Sequence, residues 1–199
     1  MSADPVALLD GFCDAGERLA VLHELRYCHW SPSTVVRRHE ERLVTSSSPA
    51  RTSTTTDQWW FPPELLALTG RIESRLAERF AVEPDHLDPW QATRYEVGET
   101  FGLHHDAGHW VRSPAGERRR TVLIYLEEPD EGGGTEFPSL DLLVAPRAGR
   151  VAVWDNLRPD GRVDPFTRHI ALPVLRGRKT VLTTWERVRP TCSRRESLP

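Results

Sequence analysis

The chain has 199 residues, and its charge is lopsided: 25 arginines and one lysine against 29 acids, a formal net charge of −3. An acidic balance with scattered arginines argues against a nucleic-acid partner, which calls for a clustered positive surface. No apolar run approaches the roughly 20 residues of a bilayer span, so no membrane partner is expected. Cys13, Cys28 and Cys192 are too few and too widely spaced for a disulfide framework or a zinc site. Met1-Ser2-Ala3-Asp4-Pro5 has neither the basic nor the apolar region of a signal peptide, so a cytoplasmic protein is expected.

Residues 5–27 read as a helix, with Pro5 in its first turn and Leu8, Leu9, Phe12, Leu19, Leu22 and Leu25 as its apolar positions. Residues 33–44 read as a strand. Thr45 to Thr56, rich in Ser and Thr, reads as a mobile loop. Pro62-Pro63 opens a second helix over 63–81. Glu83 to Pro89 is a turn.

From Trp90 the texture changes to short β-rich runs at 90–97, 119–126, 134–138, 141–145, 150–155, 166–173 and 179–188, separated by Gly- and Pro-containing turns. The pattern predicts a mainly β fold with supporting helices. The architecture expected is a double-stranded β-helix (a cupin-like jelly roll) preceded by N-terminal helices. The whole chain reads as one domain: helical support and a mobile loop over 1–89, the jelly-roll core over 90–188, and a frayed polar tail over 189–199.

The chemistry concentrates at His104-His105-Asp106. In an extended segment alternate side chains share a face, so His104 and Asp106 point together. They form two-thirds of the 2-His-1-carboxylate set that binds non-haem Fe(II). A second such pair, His86-Leu87-Asp88, lies between two prolines and reads as a surface turn. Beyond residue 109 one histidine remains, His169, in an expected strand. Ten residues later comes Lys179, the single lysine. Across a tight turn at Arg176-Gly177, the two can face one cavity from neighbouring strands. There the ammonium, a point charge, can hold the distal carboxylate of 2-oxoglutarate.

Several stretches, in order, carry a family resemblance. They are Tyr95-Glu96-Val97-Gly98 leading to His104-His105-Asp106, Arg120 to Leu126, Gly133-Gly134-Thr135-Glu136-Phe137-Pro138, Asp155 to Gly161, and His169 to Trp185, with Arg51-Thr52-Ser53 upstream. Together they resemble the prolyl 4-hydroxylase type of 2-oxoglutarate- and Fe(II)-dependent dioxygenase. The resemblance implies iron ligation by His104, Asp106 and His169. It implies Lys179 on the cosubstrate carboxylate, with Tyr95, Thr135 and Tyr125 as hydroxyl partners. It implies O2 as co-reactant and ascorbate as a reductant. Arg51, Trp185 and Arg187 are the candidate substrate contacts. Arg187 stands where collagen-type relatives carry a histidine, and Thr180 stands where an aromatic follows the lysine.

The implied activity is hydroxylation of an unactivated C–H of an amino-acid-like substrate, free, peptidyl or protein-bound. The alternatives are a tailoring oxygenase for a natural-product intermediate, a jelly-roll binding module without turnover, and a nucleic-acid demethylase that the charge balance disfavours. His105 and His109 read as cavity-mouth or surface residues rather than a zinc pair. Trp59, Trp60 and Trp110 read as core or rim, and Gly132-Gly133-Gly134 as a turn.

Overall fold

The computed structural model describes residues 5–39 and 42–191. In chain order these form β1 (Val6–Leu9), α1 (Ala15–Glu24), β2 (Ser31–Pro32), β3 (Val35–His39), β4 (Arg42–Ser46), β5 (Thr54–Asp57) and α2 (Pro63–Phe80). Then follow β6 (Gln91–Tyr95), β7 (Phe101–His104), β8 (Arg118–Glu127), β9 (Glu131–Gly132), β10 (Thr135–Phe137), β11 (Leu142–Val144) and β12 (Val151–Asp155). The last strands are β13 (His169–Ala171), β14 (Val174–Arg176) and β15 (Lys179–Arg187).

A seven-stranded sheet runs β1-β12-β8-β15-β6-β5-β2, and a four-stranded sheet runs β11-β10-β13-β7. All the strand pairs within them are antiparallel. The period-two alternation of strands sorts the large sheet's side chains into two cores. On β15, Leu182 joins a cluster with Val122, Ile124, Leu126, Val151 and Val153, covered by α1 and α2 through Val21, Leu65, Ile72 and Leu76. Val181 faces the other way and packs with Tyr95, Tyr125, Phe137, Trp154 and Ala171, between the two sheets. The helices therefore seal one face of the large sheet and leave the other for the site.

Four sequence expectations need correction. The first helix starts at Ala15, not near Pro5. Val6–Leu9 instead pairs with β12 as an edge strand, Gly11 turns the chain at φ +66, and Asp14 caps the helix by accepting from the Glu17 amide at 2.8 Å. The expected strand over 33–44 is a hairpin of β3 and β4, whose Glu40 and Glu41 lie outside the described residues. The expected loop ends early, because Thr54–Asp57 pairs with β6 inside the large sheet. Strands from before residue 90 thus complete that sheet. The fourth is a strand not predicted as such, β7, which carries His104. The second helix and the other later strands fall where the periodicity put them, except for the short pair β9 and β14, which lies outside the expected runs. The frayed tail lies outside the described residues from 192 onward. No helix among the described residues is long and apolar enough to cross a membrane.

Candidate metal and cosubstrate site

The large sheet's free face and the small sheet enclose a cavity of about 1000 Å³. On β15 its lining alternates as a strand must: Lys179, Val181, Thr183 and Trp185. Gln91, Thr93 and Tyr95 line it from β6, Thr121 and Leu123 from β8, and His104 and His169 from the small sheet.

His104 and His169 are register partners on β7 and β13. Asp106 follows just beyond β7. The ligand atoms of these three side chains all lie within 4.8 Å of one another. His104 Nε2 is 3.8 Å from Asp106 Oδ1, and His169 Nε2 is 3.7 Å from Asp106 Oδ2. Each imidazole is oriented through its other nitrogen: His104 Nδ1 lies 2.8 Å from the Gly102 carbonyl, and His169 Nδ1 lies 3.0 Å from that of Thr167. A carbonyl only accepts, so both Nδ1 atoms carry the proton and both Nε2 lone pairs face the cluster. Phe101 stacks on the His104 ring at 3.6 Å, and Phe137 and Trp154 hold the His169 ring at 5.3 and 5.0 Å.

Burial, and then the neighbouring His169 ring, lowers the His104 pKa to about 3, so its imidazole is neutral at ordinary pH. Burial pushes the Asp106 carboxyl upward. The two imidazoles, Arg118 and the Thr121 hydroxyl outweigh it and hold the group at about 2. Two imidazoles presenting Nε2 and one ionised carboxylate are the donor set of a 2-His-1-carboxylate site, with the chemistry to hold Fe(II).

Lys179 is 1% exposed, and its Nζ donates to the Gly133 carbonyl at 2.8 Å. It lies 4.2 Å from the centre of the Tyr95 ring, its cross-strand partner. No carboxylate pairs with it among the described residues. Burial alone pushes its pKa down to about 7. A buried cation facing a cavity without a counter-ion is a receptor for an anionic group. The Gly132-Gly133-Gly134 turn makes this possible. Gly132 has φ +79, and a side chain there would strike the Pro173 carbonyl at 2.5 Å.

The remaining expected site residues separate. Tyr95 and Thr135 line the cavity with Lys179. Tyr125 does not: its hydroxyl is 2.7 Å from that of Thr135, which it positions from behind. Burial raises the Tyr125 pKa, so it stays a neutral phenol. Arg51 and Trp185 line the cavity. Arg187 does not. The ladder with β8 shifts register between Glu186 and Arg187, and the guanidinium turns to Asp88 at 3.1 Å, the Ser113 hydroxyl at 2.9 Å and the Trp110 ring at 4.7 Å. Asp88, read as part of a surface turn, is in fact the half-buried hub that holds both Arg187 and Arg118. His105, His109 and Trp110 sit on the cavity wall, whereas Trp59 and Trp60 are exposed.

Sequence reading missed Thr121 and Asn156. The Thr121 hydroxyl donates to Asp106 Oδ2 at 2.7 Å, and Asn156 Nδ2 donates to Thr121 Oγ1 at 2.8 Å. The signal was present: Thr121, Leu123 and Tyr125 share one face of β8 by parity.

Residues 90–187, just under half of the chain, match the family model of the 2OG-Fe(II) oxygenase superfamily. This stretch contains every metal-site residue and Lys179, and the family uses Fe(II) and 2-oxoglutarate. Within it the likeness is to prolyl 4-hydroxylases. The chain is 31% identical over 138 residues to probable prolyl 4-hydroxylase 3 of Arabidopsis thaliana, an alignment covering 59% of this chain and 48% of that protein. The chain thus spans about half the length of that relative. The viral collagen prolyl hydroxylase of Paramecium Bursaria Chlorella virus-1, solved with 2-oxoglutarate, superposes with TM-score 0.62 at 20% identity, over 93% of this chain and 97% of that one. A prolyl hydroxylase of Trichoplax adhaerens, solved with a peptide fragment of hypoxia inducible factor, superposes with TM-score 0.65 at 16% identity, over 93% and 84%. These structural likenesses establish the jelly-roll fold.

Proposed function

We propose that this protein is a 2-oxoglutarate- and Fe(II)-dependent hydroxylase of the prolyl 4-hydroxylase type, acting on an amino-acid-like substrate, free or within a chain. The observation that carries the reading is one cavity holding both a buried His-Asp-His set and a buried lysine without a counter-ion. A binding module without turnover has no use for that combination. In such a site Fe(II) supplies oxidation of a C–H bond by O2, coupled to conversion of 2-oxoglutarate to succinate and CO2.

The chain's own residues divide the work. His104, Asp106 and His169 present three ligands from one side and leave the cavity side open. Thr121, backed by Asn156, fixes the carboxylate's orientation. Lys179 takes the distal carboxylate of 2-oxoglutarate, and the hydroxyls of Tyr95 and Thr135 complete its surroundings. Tyr125 holds Thr135 in place. Val181 and Leu123, with the Trp154 ring, keep this part of the wall apolar. Cys13 and Cys28 are both buried free thiols, in keeping with a reducing, cytoplasmic setting.

The test is mass spectrometry of reactions with free proline, proline-containing peptides and other amino acids. A product heavier by one oxygen atom, formed only with 2-oxoglutarate and Fe(II), is expected for at least one. Slow 2-oxoglutarate consumption with every candidate unmodified would move the substrate to a natural-product intermediate.

A further inference from the structure

Lys179 is not the only cation lining the cavity that has no carboxylate partner among the described residues. Arg51 enters the cavity from the segment between β4 and β5, and its guanidinium carbon lies 4.6 Å from the centre of the Phe101 ring. Phe101 in turn stacks on the metal-site imidazole of His104 at 3.6 Å. One Arg51 nitrogen donates to the Thr34 carbonyl at 2.9 Å, and another makes long contacts to the Thr55 and Thr93 hydroxyls at 3.3 and 3.5 Å. Its Nε is buried without a hydrogen-bond partner. No carboxylate pairs with it among the described residues. A buried donor left unmet is costly unless a ligand completes it.

The charge of the wall points the same way. The cavity is lined by Arg51, Arg118, Arg168 and Lys179 against two carboxylates, Asp57 and Asp106. Asp106 belongs to the metal set, and Lys179 is assigned to 2-oxoglutarate. Asp57 is held by the Gln91 amide at 2.8 Å. Arg118 shares Asp88 with Arg187. Arg51 and Arg168 are left without an ion pair among the described residues. Asp57 keeps its negative charge under that neutral amide, so Arg51 and Arg168 leave one positive charge in excess on this part of the wall, in a protein of net charge −3.

We propose that the substrate carries a free carboxylate and that Arg51 receives it, one stacked ring away from the metal set. The planar fork of a guanidinium matches a carboxylate bidentately, where a neutral amide can offer a single acceptor. The carboxylate is that of a free amino acid or of a chain's C-terminal residue; an internal peptide unit has none to offer. This rests on the hydroxylase reading above.

The experiment uses the full chain with Fe(II) and 2-oxoglutarate. The probes are matched pairs: L-proline against L-prolinamide, and a short proline-ended peptide with a free against an amidated C-terminus. Two readouts are taken: the anaerobic shift of the visible Fe(II)–2-oxoglutarate band on adding each probe, and probe-triggered 2-oxoglutarate turnover. At least one acid is expected to shift the band and trigger turnover at a concentration tenfold or more below its amide. Preference for the proline acid alone identifies a free amino acid, and preference for the peptide acid identifies a chain terminus. In Arg51→Gln the acid preference is expected to vanish, with the 2-oxoglutarate requirement changed less than twofold. Amides equal to acids, or no response to either acid, would overturn the proposal. So would an Arg51→Gln variant that keeps the acid preference and raises the 2-oxoglutarate requirement. Absence of the band in the wild type would instead sink the hydroxylase reading itself.

Discussion

His104 and His169 lie directly opposite each other on antiparallel strands β7 and β13, with ring centroids 4.2 Å apart. Residues far apart in sequence are thus set side by side by a single register choice between two short strands. A slip of one residue would turn one imidazole to the other face of the sheet. Asp106 completes the cluster from two residues past His104, just beyond the end of β7. Metal-site geometry here is a consequence of strand pairing, and it follows that side chains fixing the third ligand matter most.

Thr121 is the first such group. Thr121→Val removes the hydroxyl that donates to Asp106 Oδ2 and strands the Asn156 amide behind it. Lost outer partners typically cost about 10–100-fold in metal affinity. Competition titration with a chromophoric chelator is expected to show a loss in that range, alongside the modest drop in unfolding temperature that one stranded buried amide brings. An unaltered affinity would mean that Asp106 is held by its backbone alone.

Lys179 separates function from stability. Lys179→Met is expected to raise the 2-oxoglutarate requirement at least tenfold, whereas a substitution at His86, whose ring contacts the Arg187 carbonyl on the far side, leaves it unchanged. The same variant is expected to be more stable below pH 7. Burial holds the folded-state pKa at about 7 against an ordinary value of 10.5. The unfolded chain therefore binds more protons between those values, and the stability of the native protein rises with pH across that window. Below pH 7 the full penalty is present, and replacing the cation by an apolar chain removes a cost on the order of a few kcal/mol. Denaturant titrations of both proteins at pH 6 and pH 9 check this: the gap between them must narrow as pH rises.

The same titration bears on cosubstrate binding. A dicarboxylate needs the protonated ammonium, and near pH 7 the free protein holds only part of it in that form. Binding of 2-oxoglutarate is therefore expected to take up protons from the buffer and to weaken as pH climbs above 7. Calorimetry in buffers of different ionisation enthalpy measures the uptake. Proton release on binding would contradict the assignment of Lys179.

Arg187 is expected to behave as a structural residue. It is 4% exposed and shares Asp88 with Arg118. Arg187→Ala leaves Asp88 half-neutralised and opens a gap beside Trp110, a change typically worth about 3–5 kcal/mol for a broken buried pair. Thermal unfolding should reveal that loss, with the 2-oxoglutarate requirement unaltered. A normal unfolding curve combined with a raised substrate KM would return Arg187 to the substrate side.

Much of the site was legible in the sequence because strands impose period two. The odd-numbered face of β15 from Lys179 to Trp185 follows from alternation alone, and His104 and Asp106 still meet although the chain leaves the strand between them. What was not legible depended on events that break the pattern or on long-range pairing. Arg187 shares the parity of Lys179, but the register shift beside it turns it away. Val6–Leu9 has the apolar spacing of a helix, and only its pairing with β12 makes it a strand. Tyr125 carries the right hydroxyl on the right face, yet Thr135 stands between it and the cavity. Asp88 looked like a turn residue until two arginines from distant strands closed on it.

The most direct test of the central claim is the visible absorption of the protein mixed anaerobically with Fe(II) and 2-oxoglutarate. The wild type is expected to develop a weak charge-transfer band that saturates with one Fe(II) per chain, and Asp106→Ala is expected to lose it. No band in the wild type, or an equal band in Asp106→Ala, would contradict the assignment of His104, Asp106 and His169 as the metal site.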